Sequence, residues 1–249
     1  MRVWGITDTG LVRKENQDSY VIDIVKDFQI CAVCDGMGGT NGGQVASRIA
    51  VEYFHREVGN SLQSDMSAEQ IAQAMTYAVS LAHAAIRKTA QEETEYEKMG
   101  TTLVGAVCRN DMAVICNIGD SRAYHITKLG IQQITRDHSV VENMVENGEI
   151  THIEARHHPN RNLITRALGP DMEAKADTFT VPWKAGEFLL LCTDGLVNTV
   201  SDQEILFEVI HSAEVDGCLE RLLDVAKSHG APDNVTAVLI ENENGKEMA

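Results

Sequence analysis

The order in which strand and helix patterns follow one another is the feature of this sequence that most limits its possible folds. Strand-like segments fill the first 35 residues, and two amphipathic helical patterns come next. Strand patterns resume over residues 103–134, and further helices precede a last strand at 235–240. Helices that are grouped, rather than alternating with strands, argue against a doubly wound parallel sheet. We therefore predict an α+β fold, an antiparallel β-sandwich flanked by outer helices in α-β-β-α layers.

Two local signals place the first pair of helices. Apolar residues at helical spacing run over residues 45–58, after Gly42 and Gly43. Ser67 with Gln70 forms a capping box, which opens the second helix. Because both helices are amphipathic, we expect each to lay one face on a sheet.

The chain has no linker and no break in composition. We therefore predict one domain over residues 1–241, followed by a polar, frayed tail at 242–249. Residues 148–162 are polar and show no clean period, so they are predicted to form a mobile surface insertion, called the flap below.

The acidic composition limits the classes of partner. The formal net charge is −16, from 21 basic and 37 acidic residues, which argues against non-specific binding to nucleic acid or to anionic membranes. No basic segment leads into a long apolar stretch at the N-terminus, and no apolar run reaches the length of a membrane span. We expect a cytoplasmic protein, and with this charge a monomer.

The six cysteines do not predict a metal site. Most of them lie in apolar, strand-like runs, where Cys behaves as a small hydrophobic residue. Cys31 and Cys34 form a CxxC pair, but no second pair accompanies it. Residues three apart in a strand point to opposite faces, so these two thiols would not converge on one zinc ion.

One stretch joins an apolar strand to a carboxylate and several glycines. The apolar run 28–33 leads to Asp35, and Gly36, Gly38 and Gly39 follow. A carboxylate at a strand end beside bare backbone carbonyls suits a hard divalent cation. The alternative is an ordinary Gly-rich turn with a capping Asp.

The same setting recurs along the chain. Five aspartates stand at edges of apolar strands, namely Asp18, Asp35, Asp120, Asp194 and Asp233. Strand ends of a sandwich cluster, so these carboxylates could meet, and without a cation they would raise one another's pKa. Oxygen ligands without a neighbouring Cys–His set favour magnesium or manganese over zinc. The alternative is five independent loop aspartates.

Seven short motifs together resemble the ordered motif set of the PP2C (PPM) family, in its compact bacterial form. They occupy residues 12–18, 33–39, 100–102, 119–122, 137–139, 193–195 and 233–236. Each motif alone is weak, but their order and spacing are specific, and the resemblance covers residues 2 to 241. Members of this family are metal-dependent serine/threonine protein phosphatases.

The resemblance implies a role for each matching metal-site residue. Asp35 would bridge two metal ions, and the carbonyl of Gly36 would bind the second. Asp194 and Asp233 would complete the shell of the first ion, and Asp120 with Asp194 matches a third metal position. The implied cofactor is Mn²⁺ or Mg²⁺, with two or three ions per chain.

The resemblance also implies the chemistry. Asp18 would hold a metal-bound water in the outer shell, and Arg13 would bind the substrate phosphate with its planar guanidinium. Catalysis, carried by Asp35 and Arg13, would proceed by attack of a metal-bridging hydroxide, without a phosphoenzyme. The expected substrates are phosphorylated proteins, and the expected partner is a cognate bacterial Ser/Thr kinase.

The sequence departs from the family pattern at several positions. Met37 stands where many eukaryotic members carry a His credited as general acid, although bacterial members often have Met. Gln17 stands where eukaryotic members have Glu, and Thr40 where some bacterial members have His. We expect His138 to order the loop around Asp137, with a catalytic role as the alternative. We expect Asp137 to cap the next helix, with a role in the outer metal shell as the alternative.

Two alternatives to the phosphoprotein phosphatase stay open. One is a non-catalytic scaffold of the same fold that binds phosphoproteins. The other is a phosphatase for small phosphorylated molecules.

Overall fold

The computed structural model of the protein describes residues 1–109, 111–211 and 214–243. Two five-stranded antiparallel sheets pack face to face, with helices covering both outer faces. The predicted fold class, an α+β sandwich in α-β-β-α layers, is confirmed.

Strands and helices are numbered along the chain. The first sheet has the spatial order β1 (Arg2–Asp8), β12 (Val235–Glu241), β11 (Phe188–Cys192), β8 (Arg122–Thr127) and β9 (Gly130–Gln133). The second sheet has the order β10 (Asp177–Pro182), β7 (Met112–Ile118), β6 (Leu103–Arg109), β3 (Phe28–Cys34) and β2 (Ser19–Val25). A small separate pair joins β4 (Gly36–Met37) to β5 (Gly100–Thr101).

The helices form two outer layers and a set of connections. They are α1 (Gly39–Ser61), α2 (Ala68–Glu92), α3 (Val140–Glu146), α4 (His152–Arg156), α5 (Asp194–Val197), α6 (Asp202–His211) and α7 (Cys218–Ser228), with a 3₁₀ turn at Thr94–Tyr96. Helices α1 and α2 cover the second sheet, and α6 and α7 cover the first. The capping box that opens α2 has both predicted hydrogen bonds between Ser67 and Gln70.

Strand β3 is buried along its whole length because both of its faces lie in apolar cores. Phe28 and Ile30 pack against the helices, while Cys31 and Val33 face the other sheet. This two-sided burial explains the continuous apolar run, since a strand with one wet face would alternate. Cys31 and Cys34 accordingly lie in different cores, as their spacing predicts, and all six cysteines are buried free thiols.

Helix α1 begins earlier than the sequence predicts. It starts at Gly39, after Gly38 in a left-handed conformation with φ of 119°, and runs through Gly42 and Gly43. Glycine lowers helix propensity, so the pattern placed the start after this pair. The glycines are needed here because α1 passes very close to other backbone: a Cβ on Gly43 would lie 2.6 Å from the carbonyl carbon of Gly36.

The flap contains regular structure that the sequence analysis did not predict. Helix α4 lies within it and packs near α3, and Thr151 with Glu154 forms its capping box. A five-residue helix is too short to show an apolar period, but the capping box was a readable signal. Residues 163–168 form only single bridges, from Ile164 to Ser139 and from Leu168 to Thr101.

The chain end is tied to the fold at the start of the predicted tail. Asn242 is buried, and its backbone exchanges hydrogen bonds with Glu187 and Gly186. Residues 244–249 of that predicted tail lie outside the described residues. Among the helices that the structure describes, none has the length and apolar character needed to cross a membrane.

Candidate active site

The five predicted aspartates lie at one end of the sandwich, where the strands of both sheets start or stop. Asp18 directly precedes β2 and Asp35 directly follows β3, and these two strand ends pair at Ser19 and Cys34. In a hairpin pair the start of one strand lies beside the end of the other, so the two carboxylates emerge together.

The other three aspartates emerge at the same end from the connections of the first sheet. Asp120 lies between β7 and β8, Asp194 opens α5 just after β11, and Asp233 precedes β12. The register brings these ends together, because Cys192 pairs with both Arg122 and Ala237.

Asp35 is the centre of this group. Its carboxyl lies within reach of the charges of all four other aspartates, Asp18, Asp194, Asp120 and Asp233. The structure therefore brings together every carboxylate that the sequence analysis selected. Asp18 is buried, and Asp35, Asp120 and Asp194 are partly accessible to solvent.

Burial and mutual repulsion oppose the charged forms of these groups. Burial, followed by the charges of Asp194 and Asp233, raises the pKa of Asp18 to about 7. Burial and the charge of Asp194 raise the pKa of Asp120 to about 8. The pKa of Asp35 lies well above its usual range for the same reasons, and that of Asp194 is also raised.

The cluster also contains buried oxygens that the protein leaves without a hydrogen bond. In the described residues, Oδ1 of Asp18 and Oδ1 of Asp194 are buried acceptors with no partner. Their second oxygens accept hydrogen bonds at 2.9 Å, from Thr193 Oγ1 and Asn198 Nδ2 respectively. A buried carboxylate oxygen without a donor is costly, and a hard cation satisfies both its charge and its lone pairs. The residues present therefore fit divalent cations.

The cluster does not form a closed cage by itself. Within the part of the chain that the structure describes, no group of three or more His, Cys, Asp or Glu side chains has the arrangement of a metal site. This donor set is compatible with magnesium-type ions, which keep several waters and bind through one or two carboxylates rather than through an all-protein cage.

The backbone around Asp35 is fixed from two sides. Its N–H donates to Thr102 Oγ1 at 2.9 Å, and its carbonyl accepts from Thr102 N–H at 2.9 Å and from Thr101 Oγ1 at 2.8 Å. The next residue must be glycine, because a Cβ on Gly36 would lie 2.1 Å from the carbonyl oxygen of Gly43. The backbone that carries this carboxylate is thus held by Thr101 and Thr102, at the end of β5, and by helix α1.

Arg13 lies at the rim of the cluster. Its Nη2 donates to Oδ2 of Asp233 at 2.8 Å, and its guanidinium is also close enough to Asp35 and Asp194 to interact with their charges. More than half of its side chain is exposed. The predicted phosphate ligand is therefore beside the carboxylates and open to solvent.

Asp137 does not have the predicted capping role. Ser139 caps α3 instead, accepting from the N–H of Glu142. Asp137 accepts hydrogen bonds from Arg122 Nε at 2.9 Å and from Arg122 Nη2 at 2.7 Å, and from Gln133 Nε2 at 2.9 Å. Sequence reasoning missed this pair because the two residues are 15 positions apart and meet only across the β8–β9 hairpin.

His138 orders a different loop from the one predicted. Its ring Nδ1 accepts a hydrogen bond from the backbone N–H of Gly119 at 3.1 Å, and the backbone N–H of His138 donates to the carbonyl of Gly119 at 3.0 Å. The other ring nitrogen lies 3.0 Å from Asp177 Oδ2. His138 therefore braces the loop that carries Asp120. Burial lowers the pKa of His138, which keeps Nδ1 available as an acceptor.

Asn234 is a positioning residue that sequence reasoning did not identify. Its Nδ2 donates to the carbonyls of Thr9 at 2.9 Å and Glu15 at 3.0 Å, and its Oδ1 accepts from Gln17 N–H at 2.8 Å. One buried amide thus ties the loop carrying Arg13 to the segment carrying Asp233. Its place directly after Asp233 in a matched motif was the available signal.

The comparisons with known proteins agree with this geometry. The family profile described as "Protein phosphatase 2C" matches residues 12–239. The "Serine/threonine phosphatase stp" of Listeria monocytogenes is 36% identical over 242 residues, covering 95% of this chain and 94% of that protein.

Solved structures agree over the whole fold. A crystal structure described as a bacterial serine phosphatase has a TM-score of 0.91 and 34% identity, covering 99% of this chain and all of that one. The "Serine/threonine phosphatase Stp1" of Staphylococcus aureus has a TM-score of 0.88 and 34% identity, covering 96% and 94% of the two chains. With the sequence motifs, the sandwich and the carboxylate cluster all in agreement, the chain belongs to the protein phosphatase 2C family, whose members are metal-dependent.

Proposed function

We propose that this protein hydrolyses phosphoserine and phosphothreonine in proteins, using Mn²⁺ or Mg²⁺ at two or three positions per chain. One observation carries the proposal: five carboxylates converge at one end of the sandwich beside an exposed arginine, and four of them have raised pKa values while two have an oxygen without a partner. The names of the relatives support the same reaction class, since the Listeria and Staphylococcus proteins are called serine/threonine phosphatases.

Each carboxylate has a proposed part in holding the ions. Asp35 would be shared between two ions, with the Gly36 carbonyl as a further ligand. Asp194 and Asp233 would complete one shell, and Asp120 would join Asp194 at a third position. Asp18, which is the most buried of the five, would act through water from the outer shell.

Bound divalent cations supply an activated water and neutralise charge on the phosphoryl oxygens. The chain's own residues do the rest. Arg13 offers a planar, bidentate donor to the substrate phosphate, and its exposure leaves it accessible to a phosphoprotein. Thr101 and Thr102 keep Asp35 in place while the charge on the site changes.

Neither Met37 nor His138 supplies the general acid. Met37 has no proton to donate. His138 is committed to Gly119 and Asp177 through both ring nitrogens, so it is a positioning residue for the Asp120 loop.

The two alternatives make different use of the cluster. A scaffold that only binds phosphoproteins would keep several desolvated carboxylates at a cost in stability and gain nothing from their convergence. A phosphatase for small molecules would share the site, and only substrate comparison separates it from a phosphoprotein phosphatase.

The biological setting is part of the proposal. A cognate Ser/Thr kinase would supply the phosphorylated proteins, as the resemblance implies. Six buried free thiols suit a reducing compartment, and we place the protein in the cytoplasm as a monomer.

The test is hydrolysis of a phosphothreonine peptide by the purified protein with Mn²⁺, with Mg²⁺ and with a chelator. We expect metal-dependent turnover that the chelator abolishes, and lower kcat/KM for small phosphorylated metabolites. Asp224→Asn, at an exposed position on α7, is the matched control for an aspartate change in the site and should keep wild-type turnover.

Two results would overturn parts of the proposal. A folded protein without turnover in either metal would favour the scaffold. Faster turnover of metabolites than of any phosphopeptide would favour the small-molecule phosphatase.

A further inference from the structure

The loop between β1 and β2 exposes two neighbouring apolar side chains at the rim of the site. Leu11 is 60% exposed and Val12 is 68% exposed. Single exposed apolar residues are ordinary on protein surfaces. Among the large apolar side chains that are exposed in the described residues, however, these two are the only sequence neighbours. Their exposure therefore calls for a specific explanation.

The backbone that presents this pair is firmly held. Gly10 adopts φ of 75°, and a Cβ there would lie 2.1 Å from the carbonyl oxygen of Asp233. The N–H of Leu11 donates to the carbonyl of Ala231 at 2.9 Å. The side-chain amide of Asn234 binds both ends of the same loop, at Thr9 and Glu15. Leu11 and Val12 thus project from an ordered segment, which lowers the entropic cost of binding against them.

The pair is continuous with the phosphate site. Arg13 is the next residue, and its guanidinium bonds to Asp233 inside the carboxylate cluster. Successive Cα atoms are about 3.8 Å apart, so the Cα atoms of Leu11 and Val12 lie within about 8 Å of that of Arg13. The next exposed residues, Lys14 and Glu15, carry opposite charges, so together they favour neither an acidic nor a basic residue of a substrate.

We propose that Leu11 and Val12 form a docking step for a large apolar residue that flanks the phosphoserine or phosphothreonine of a protein substrate. This inference rests on the proposed function and adds a specificity to it. The occupant is the substrate chain itself, because the pair directly precedes Arg13, the residue proposed to bind the phosphoryl group of that chain. Contact with an apolar side chain removes apolar surface on both partners from water, whereas a polar or acidic neighbour gains nothing there.

The test uses matched phosphothreonine peptides that differ at one flanking position, with Leu, Ser or Asp at each of the two residues on either side. For the wild-type protein we expect kcat/KM to be about fivefold higher with Leu than with Ser at one of these positions, mainly through KM. In the double variant Leu11→Ser/Val12→Ser, we expect this ratio to fall to about one.

Two control variants distinguish the loss of this contact from a general loss of folding or activity. Leu129→Ser removes a fully exposed leucine at the β8–β9 turn and should keep the wild-type ratio. Val12→Thr keeps the side-chain shape and should give an intermediate ratio, and thermal unfolding checks that each variant is folded.

The outcomes distinguish the docking step from the reaction. If wild-type protein hydrolyses the peptides but shows no preference for Leu, or if the double variant keeps the preference, the docking step is wrong and the proposed function stands. If no phosphopeptide is hydrolysed, the proposed function fails and the docking step fails with it.

Discussion

Two sets of desolvated carboxylates lie near one another in this molecule, and they are neutralised differently. Asp137 receives a complete set of protein donors, from Arg122 and Gln133. In the described residues, Asp18, Asp35, Asp120 and Asp194 have no ion pair, and two of them have an oxygen without any partner. The protein itself therefore supplies the hydrogen-bond donors and the positive charge that Asp137 needs. The second set lacks such donors, and in the proposed function a cation from solution would supply the missing charge, which is the difference between a structural and a functional use of the same residue type.

The largest expected effect comes from removing the central charge of the cluster. Asp35→Asn should lower kcat by more than about 10³-fold, because the shared carboxylate is the proposed link between the ions. Its stability without metal should not fall, since burial already raises the pKa of Asp35 and Asn resembles the neutral acid. Steady-state kinetics with Mn²⁺ and urea unfolding without metal measure the two effects. Near-wild-type turnover would show that Asp35 does not bridge metal ions.

The complementary change removes the structural carboxylate. Asp137→Ala should lower the free energy of unfolding by about 3 kcal/mol, because it leaves the largely buried Arg122 without its partner. Urea unfolding measures this, and Asp224→Ala on the exposed face of α7 is the control, expected within about 0.5 kcal/mol of wild type. A loss as small as that of the control would mean that the ion pair is not a structural element.

The stability of the metal-free protein should depend on pH because the pKa values in the aspartate cluster are raised. A carboxyl whose pKa is raised in the folded state holds its proton while the unfolded chain has lost it, so stability falls as pH rises between the two values. The pKa of Asp18 rises from 3.8 to about 7 and that of Asp120 to about 8, so the free energy of unfolding should fall as pH rises from 4 to 8.

Thermal unfolding at several pH values, with and without Mn²⁺, measures this effect. Added Mn²⁺ should stabilise most at the alkaline end, because metal ligands must be deprotonated. Asp18→Asn should flatten the metal-free profile. A wild-type profile that is flat without metal would contradict the raised pKa values.

The smallest expected effect comes from replacing Arg13, at the rim of the carboxylate cluster. Arg13→Ala should raise KM for a phosphopeptide about tenfold and lower kcat less, because an exposed arginine that binds phosphate contributes mainly to ground-state binding. Arg13→Lys should recover part of the loss, since Lys keeps the charge without the planar fork. A fall in kcat at constant KM would mean that Arg13 acts in the transition state alone.

Local patterns in the sequence predicted much of this structure. The apolar run before Asp35 and the capping box at Ser67 each depend on residues close in sequence. The flap helix escaped the periodicity argument because it has only five residues. The start of α1 was misplaced because Gly42 and Gly43 weaken a helix locally, while the close approach to Gly36 requires them.

The residues of the candidate site likewise include some that local patterns revealed and others that they did not. Five aspartates at strand ends were recognisable because strand ends of a sandwich cluster, and each stands beside its own apolar strand. The partners that position them were not recognisable: Asn234 reaches residues more than 200 positions away in sequence, and His138 braces the loop of Asp120 rather than that of Asp137. Nothing in a polar side chain's neighbours along the chain specifies which distant backbone group it will bind.

The sequence by itself determined the layers of the fold and the residues that could hold cations, because hydrophobic period and residue chemistry are local properties. Only the tertiary structure decided which carboxylates receive a full set of donors from the protein and which keep oxygens without a partner. That decision depends on desolvation and on the distance to the nearest donor, and both arise when distant strands are brought to the same end of the sandwich.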